Sequence, residues 1–416
     1  MNEPAHYNFK LVVFLFLVLV IAVLILQAFN IAWRYHLRVD IDGQYVSNAR
    51  HFLKFHNLNS LGHNEYQPGA VLFFLALSPA LLIQDSADYF LLALFASNIF
   101  LIAVFAVIYK KISGLLGLFT FSLLILFTGP IVLYRFDLFT FLFILVAILF
   151  WRKNKFNYSL FFLGVATAIK IFPALLAPYF LIISAKNKLG ITTILKQIVS
   201  YVAGLLSIIS IYLVVFGGRL SEIMSSLEIH ARKPVHVESV WGSILTIYSK
   251  LTSGQYALGA GDVGIFGIAR EYTIGLLTFY NYFWIVAIGL LYLWLFLKLR
   301  SMVKINYQIC SMIVLLFLVF SKILTPQYLL WFMLFFPLLS FLTGESERRN
   351  WFVNLLLILL ASFLSQYIYP LRYNELLAGF YTNGSFSNLF WLLTLRNLIL
   401  IILAFKFIKE IKWNPS

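Results

Sequence analysis

Long apolar stretches recur from one end of this chain to the other, separated by short polar connections. A helix of about 20 apolar residues is long enough to cross the hydrocarbon core of a bilayer. The pattern therefore predicts an all-α polytopic membrane protein, with one integral membrane domain over residues 1–416. The stretches lie at 10–32, 88–109, 113–134, 136–151, 191–217, 273–298, 305–321, 327–343, 350–370 and 386–408.

Two further apolar stretches are interrupted by residues that break helices. Pro79 divides residues 69–84, and Lys170 with Pro173 divides residues 158–185. If both stretches enter the membrane and return to the same face, the chain has about ten full spans. If both cross, it has about twelve. We therefore expect about 10–12 transmembrane helices, favour the lower number, and place both termini in the cytoplasm.

Basic residues cluster in the short connections between the stretches. Such an excess of Lys and Arg marks cytoplasmic loops, so it accounts for the net charge of +15 without a nucleic-acid partner. With 62% hydrophobic and 11% charged residues, the chain has no room for a large soluble domain, and we expect membrane lipids around it. The clusters are Arg152, Lys153 and Lys155; Lys186 and Lys188; Lys298, Arg300 and Lys304; Arg348 and Arg349; and Lys406, Lys409 and Lys412.

Two long connections, residues 33–68 and 218–272, then fall on the outer face. Each contains a spacing of apolar residues typical of an amphipathic helix that lies in the membrane interface. The residues are Tyr45, Ala49, Phe52 and His56 in the first connection, and Leu220, Ile223, Met224 and Leu227 in the second.

Asp40 and Asp42 stand one residue apart just after the first apolar stretch. A carboxylate at a membrane exit can take a proton from a hydroxyl or hold a cation. In an extended segment the two side chains would share a face and couple, or share a metal ion. Asp is also favoured immediately before a helix, so Asp42 has a capping role as its alternative, and the two roles are compatible.

Four other charged residues lie at or within the apolar stretches. Arg135 and Asp137 separate two of them and could simply pair, or reach toward water at a span end. Lys170 lies deep in its stretch, where charges usually face a cavity or a partner, so it binds an anion or forms a buried ion pair. Lys322 lies at the predicted outer end of an apolar stretch, which departs from the rule that basic residues mark the cytoplasmic side. It therefore has either a specific function or a long side chain that reaches the membrane interface.

The densest polar cluster, residues 228–241, falls in the second outer connection. His230, Arg232, Lys233 and His236 are side chains that could bind a phosphate, Arg232 with forked geometry. The alternative is a basic patch that faces lipid headgroups.

In chain order, several segments resemble motifs of the GT-C class of multi-spanning glycosyltransferases. The closest are polyprenyl-phosphate-mannose-dependent mannosyltransferases and related bacterial GT87-type proteins. Residues 40–49 are similar to the Asp-x-Asp first-loop motif of the first mannosyltransferase of GPI-anchor synthesis, and a Tyr-x-Pro segment with Tyr66 follows. Residues 168–173 are similar to a Lys-Ile-Tyr-Pro segment, with Phe172 in place of Tyr. Residues 321–331, with Gln327 and Tyr328, and residues 230–239, with Glu238, resemble two further motifs.

The resemblance implies transfer of a sugar, mannose, from a polyprenyl-phosphate donor to a hydroxyl of a lipid or glycan acceptor, with inversion. It also implies a site on the outer face of a prokaryotic cell membrane. The implied base is Asp42, with Asp40 as its helper, and a divalent metal such as Mg²⁺ or Mn²⁺ could be held by both. The donor phosphate would contact His230, Arg232, Lys170 and Lys322, and the substrates would contact Tyr66, Arg135, Asp137, Glu238, Gln327 and Tyr328.

Two other functions use the same hydrophobic pattern. A transporter or lipid flippase would carry inverted repeats and acidic residues at the membrane midplane, and the sequence has neither. A non-enzymatic subunit of an envelope assembly complex would leave Asp40 and Asp42 replaceable.

Overall fold

The computed structural model describes residues 3–58, 65–253, 258–260, 266–268, 274–299, 305–339, 345–381 and 387–411. Within these ranges, five helices are long and apolar enough to cross a membrane, and shorter apolar helices accompany them. The chain is therefore an all-α polytopic membrane protein, as its hydrophobic pattern predicts.

The first half of the chain forms ten helices, joined by short turns. They are α1 (Glu3–Phe29), α2 (Ile31–Asp40), α3 (Val46–Phe55), α4 (Pro68–Leu77), α5 (Pro79–Ile83), α6 (Ala87–Thr128), α7 (Ile131–Tyr134), α8 (Asp137–Arg152), α9 (Phe156–Ile169) and α10 (Ala177–Lys186).

The second half adds nine helices in the described ranges and one short antiparallel hairpin, in which β1 (Leu258–Ala260) pairs with β2 (Phe266–Ile268). The helices are α11 (Ile191–Ser210), α12 (Leu220–Arg232), α13 (Val240–Ser253), α14 (Ile274–Lys298), α15 (Tyr307–Phe320), α16 (Leu329–Met333), α17 (Glu345–Gln366), α18 (Tyr373–Tyr381) and α19 (Asn388–Glu410). Residues 254–257, 261–265 and 269–272 of the predicted second outer connection lie outside the described residues.

Both predicted interruptions of apolar stretches are confirmed. Pro79 separates α4 from α5. Lys170 has extended backbone (φ −152°, ψ 142°) after α9, and a 3₁₀ turn (Phe172–Leu176) follows it before α10. Proline lacks a backbone N–H and clashes with the preceding helical turn, which explains why both helices end there.

Two predicted spans take a different form. The stretches 88–109 and 113–134 form the long helix α6, which ends at Thr128, and then the short α7. α6 bends at Gly114 (φ +67°), a backbone conformation that glycine adopts without steric cost. The prediction of one helix over 327–343 is wrong, because two 3₁₀ turns (Pro326–Tyr328 and Phe336–Leu339) flank the short α16. Pro326 and Pro337 interrupt the helical hydrogen bonding there.

The described part of the predicted first outer connection is largely helical. A π-helical turn (Ile41–Tyr45) joins α2 to α3 without a break. The expectation that Asp42 caps a helix is therefore wrong, because no helix begins at that position. An extended segment that would set Asp40 and Asp42 on one face is also excluded by this continuous helical run.

The packing of the helices positions the break at Lys170. α9 packs against both α8 and α11, and α4 packs against α9 near its end. One large cluster of buried apolar side chains connects these helices with α6, α15 and α19. The break at Lys170 is thus held inside the protein rather than at its surface.

Candidate functional site

A cavity of about 960 Å³ lies where the helical run of the first connection meets the broken segments at Lys170 and Lys322. Its volume is near the top of the range of about 300–1,000 Å³ that small-molecule sites occupy. Most of the polar residues singled out from the sequence line it. These are Asp40, Tyr66, Arg135, Lys170, His230, Lys233, His236, Glu238, Lys322, Gln327 and Tyr328, and Glu65 lies beside them.

Asp40 is held on the cavity wall by a buried arginine. Its Oδ2 lies 3.0 Å from Nη2 of Arg135. Nη1 of Arg135 donates to the carbonyl oxygen of Leu37 at 2.9 Å, and Asn98 donates to the carbonyl oxygen of Arg135 at 3.0 Å. The guanidinium is therefore fixed from several sides, and it orients the Asp40 carboxylate.

Asp42 lies outside the cavity, and its side chain is 46% exposed. It pairs with Arg38 at 3.0 Å, and Arg38 also pairs with Asp88 on α6. Residues i and i+2 of a helix are about 200° apart around its axis. Asp40 and Asp42 therefore face different ways.

Two acids that face apart do not fit a shared Mg²⁺ or Mn²⁺ ion. Across the described ranges, no group of three or more His, Cys, Asp or Glu side chains could hold a metal ion. Each of the two acids instead has an arginine partner.

Lys170 lines the cavity and also forms a buried ion pair. It therefore has both a cavity and a charged partner, the two surroundings expected of a charge deep in an apolar stretch. Its Nζ lies 2.6 Å from Oδ1 of Asp137, which also accepts a hydrogen bond from the Trp331 indole. The ammonium lies 4.6 Å from the ring centre of Phe136, 5.1 Å from that of Trp331 and 5.6 Å from that of Tyr328. Asp137 itself lies behind Lys170, away from the cavity.

Reciprocal hydrogen bonds join the loop after α12 to the segment after α15. The His236 backbone N–H donates to the carbonyl oxygen of Lys322 at 2.8 Å, and its ring Nδ1 donates to that of Leu324 at 2.7 Å. Nζ of Lys322 donates in turn to the carbonyl oxygen of Ala231 at 2.6 Å. No carboxylate in the described part of the chain pairs with Lys322, so its buried charge is not compensated.

The same loop is anchored from the last span by Arg396 and Asn397, which the sequence analysis did not single out. Nη2 of Arg396 donates to the carbonyl oxygen of Glu238 at 2.8 Å, and Asn397 donates to that of Ser239 at 3.0 Å. Arg396 is fully buried. A single arginine inside an apolar stretch was the available signal, because such charges usually have a buried partner.

Positive charge gathers around His230. Burial, together with the nearby charges of Lys233, Lys170 and Lys322, lowers the pKa of His230 to about 4. Burial likewise lowers the pKa of His236 to about 4. Both imidazoles are therefore neutral at pH 7, and the lysines carry the positive charge of this part of the cavity.

The end of the first connection is tethered to α12 and to the loop that follows it. Glu65 pairs with Lys233 at 2.7 Å, and Gln67 donates to the hydroxyl of Ser226 at 3.2 Å. Tyr66 packs edge-on against Tyr45, with ring centres 5.2 Å apart. These contacts close one side of the cavity.

Arg232 does not contribute to the cavity. Its side chain is 74% exposed and pairs with Glu228, one helical turn earlier on α12. Gln327 and Tyr328 do line the cavity, in the 3₁₀ turn before α16.

One wall of the cavity is apolar. It is formed by Trp284, Ile285 and Ile288 of α14 together with Phe317 and Phe320 of α15, and the rings of Trp284 and Phe317 pack edge-on with centres 6.3 Å apart. Ile285 is 56% exposed, so this wall continues to the outer surface of the protein. On a membrane protein such a surface meets lipid tails.

The fold and the cavity together define the chain as a polytopic α-helical membrane protein with an amphipathic internal cavity. The chain matches no known protein-family model, no curated protein and no solved structure. A carboxylate, several cations and an apolar wall in one cavity fit an amphiphilic ligand with an anionic head.

Proposed function

We propose that the protein is a glycosyltransferase that moves a sugar, mannose, from a polyprenyl-phosphate donor to an acceptor hydroxyl. The observation that carries the proposal is the cavity, in which Asp40 shares one space with Lys322 and with an apolar wall. A lysine without a carboxylate partner in the described residues suits a phosphate, and the apolar wall suits a prenyl chain. The ordered resemblance to GT-C motifs supports the same reaction.

In the proposed reaction, Asp40 is the general base. The acceptor oxygen attacks the anomeric carbon, and its proton passes to the Asp40 carboxylate. The bond between that carbon and the phosphate oxygen breaks with inversion, and the polyprenyl phosphate leaves with the bonding electrons. Lys170 and Lys322 stabilise the negative charge that grows on the phosphate, because they are already in place before the reaction.

This assignment moves two roles from the residues favoured by sequence. Asp40 takes the role of base because it lies on the cavity wall, whereas Asp42 is paired with Arg38 outside it. Arg232 is removed from the phosphate site because its side chain is exposed and does not line the cavity, which leaves the charge stabilisation to Lys170 and Lys322. His230 is neutral and supports the phosphate as a hydrogen-bonding group.

The proposed location is the non-cytoplasmic face of a prokaryotic cell membrane. The basic clusters favour that face for Asp40, since they mark the opposite side as cytoplasmic. A donor built on a polyprenyl phosphate is activated already, so the reaction needs no nucleotide at this face.

The reaction is tested with purified protein, radiolabelled polyprenyl-phosphate-mannose and a mixed lipid extract. We expect Asp40→Asn to lower sugar transfer by about 10²–10⁴-fold, as loss of a general base does, with donor binding retained. Asp42→Asn, which disturbs only an exposed ion pair, is the matched control and should transfer at close to the normal rate.

Each other result has a clear meaning. Normal transfer by the Asp40→Asn variant would exclude Asp40 as the base. A wild-type protein that moves the labelled lipid across vesicles without transferring the sugar would favour a flippase. Absence of both activities would favour an assembly subunit.

A further inference from the structure

Glu238 lies on the cavity wall but has no part in the transfer step proposed above. Its side chain is 2% exposed. Its Oε2 forms an ion pair with buried Arg396, whose Nη2 is 3.6 Å away, but within the described residues it accepts no hydrogen bond. A buried carboxylate that lacks hydrogen bonds is costly, so its presence needs an explanation.

The backbone around Glu238 is fixed. Arg396 and Asn397 donate to the carbonyl oxygen of Glu238, at 2.8 and 3.3 Å, and Asn397 also donates to the hydroxyl of Ser243 at 2.8 Å. The side chain is therefore presented by a rigid loop rather than by a mobile one. Tyr369, which donates to the carbonyl oxygen of His36, lies within electrostatic range of both Glu238 and Asp40.

We propose that Glu238 accepts a hydrogen bond from a hydroxyl group of the acceptor, and that the acceptor is a neutral polyol such as a sugar headgroup. A carboxylate repels a phosphate, so its ligand is not the head of the donor. A hydroxyl group supplies the donor proton that the carboxylate lacks. The aromatic rings of Tyr369 and Tyr373 on the same wall give the apolar face of a sugar ring a packing surface.

The inference rests on the proposed function, because it identifies the ligand of Glu238 as the acceptor of the transfer. Binding of that ligand can nevertheless be measured without transfer. The full chain is reconstituted in lipid nanodiscs and titrated separately with methyl α-mannoside and with undecaprenyl phosphate. Trp284 and Trp331 line the cavity, so tryptophan fluorescence reports both ligands. Glu238→Gln keeps the volume of the side chain, and Glu228→Gln on the exposed face of α12 is the matched control.

We expect Glu238→Gln to bind methyl α-mannoside about 10- to 100-fold more weakly, as loss of a hydrogen bond to a charged group does. Its affinity for undecaprenyl phosphate should stay at the wild-type value, whereas its melting temperature should fall because buried Arg396 loses its carboxylate partner. Glu228→Gln should match the wild-type protein in all three. If Glu238→Gln does not fold, Glu238→Asp replaces it, because the shorter carboxylate keeps its charge near Arg396 but is drawn back from the ligand.

Three results would overturn the assignment: equal mannoside affinity in the folded variant and the wild type, no mannoside binding by the wild type, or equal loss of both ligands. Failure of the wild-type protein to bind undecaprenyl phosphate, with the mannoside result as expected, would instead contradict the proposed function and leave the role of Glu238 supported.

The pH profile gives a second readout that a purely structural role would not produce. Burial raises the pKa of Glu238 to about 7, against the opposing charge of Arg396. The acid therefore deprotonates as the pH rises, and wild-type mannoside binding should strengthen from pH 6.5 to 8, whereas Glu238→Gln should give a flat profile. A flat wild-type profile would contradict the assignment.

The other ionisable groups around Glu238 do not account for such a change. Burial lowers the pKa of His236 to about 4 and lowers that of His36, so both imidazoles are neutral over this range. Burial raises the pKa of Tyr373 well above its usual value. The remaining groups are the phenol of Tyr369 and the guanidinium of Arg396.

Discussion

Lys170 and Lys322 both line the cavity, yet their electrostatic surroundings are opposite. Lys170 is paired with buried Asp137, while Lys322 is buried against a backbone carbonyl and has no carboxylate partner in the described residues. A buried charge without a partner destabilises the fold, so Lys322 is the cation that a bound anion would relieve. A bound anion would stabilise Lys170 less, because the carboxylate of Asp137 already compensates its charge.

This contrast predicts different effects of the same substitution. Lys170→Met should lower the free energy of unfolding by about 3–5 kcal/mol, because Asp137 is left as an uncompensated buried charge. Lys322→Met should leave stability unchanged or raise it, and should weaken binding of undecaprenyl phosphate by at least about 10-fold, as loss of a charge-assisted contact does.

Unfolding in detergent and tryptophan fluorescence measure the two quantities, with exposed Lys153→Met as the control. Equal destabilisation by the two substitutions, or wild-type affinity of Lys322→Met for undecaprenyl phosphate, would contradict the proposed electrostatic difference between Lys170 and Lys322.

The sequence identifies most cavity residues but not their partners. Lys170 could be predicted because a charge deep in an apolar stretch needs a cavity or a counterion. Its partner Asp137 could not be chosen, since the contact joins residues far apart in the chain. Asp40 and Asp42 could not be separated, because only the uninterrupted helical run turns one toward the cavity and the other away.

At the level of elements, proline decides which helix ends can be predicted. Pro79 interrupts one apolar stretch, and Pro173 interrupts another that also contains Lys170, so both breaks were predicted and are confirmed. Residues 327–343 are mostly apolar and nearly long enough to cross a membrane, so length favoured a single helix, but the helical hydrogen bonding is interrupted at Pro337. Hydrophobicity predicts that a segment is buried, but it does not report whether its backbone is continuous.

α9 and α11 approach each other closely at two glycines. A Cβ on Gly164 would lie 2.1 Å from the carbonyl oxygen of Tyr201, and one on Gly204 would lie 2.0 Å from that of Phe161. Small residues allow two membrane helices to approach at such distances. Since α9 ends at Lys170, this contact also sets the position of the break that lines the cavity.

Gly164→Ala and Gly204→Ala should therefore each lower the free energy of unfolding by about 1–3 kcal/mol, the usual cost of overpacking. Gly289→Ala on α14 is the control, because nothing lies within 4 Å of a Cβ there, and alanine should stabilise that helix by about 0.5–1 kcal/mol. Thermal unfolding in detergent measures all three, and wild-type stability in the Gly164 and Gly204 variants would exclude the tight contact.

For the molecule as a whole, α8 relates the cavity to the basic end of the protein. It begins at Asp137, beside Lys170, and its 16 residues end at Arg152, next to Lys153 and Lys155. A helix of that length spans about 24 Å, most of the hydrocarbon thickness of about 30 Å. The cavity and this basic cluster therefore lie at opposite ends of one helix, which is the separation expected of two membrane faces.

The resulting orientation can be tested by cysteine labelling in intact cells. The natural sequence has one cysteine, Cys310, and it is buried, so an introduced exposed cysteine should be the main site that reacts with a membrane-impermeant maleimide. We expect Asp42→Cys to be labelled from outside, and Lys153→Cys to be labelled only after the membrane is permeabilised, because basic loops are retained in the cytoplasm. The unmodified protein gives the background. Labelling of Lys153→Cys in intact cells, with Asp42→Cys protected, would reverse the orientation and move the proposed transfer to the cytoplasmic face.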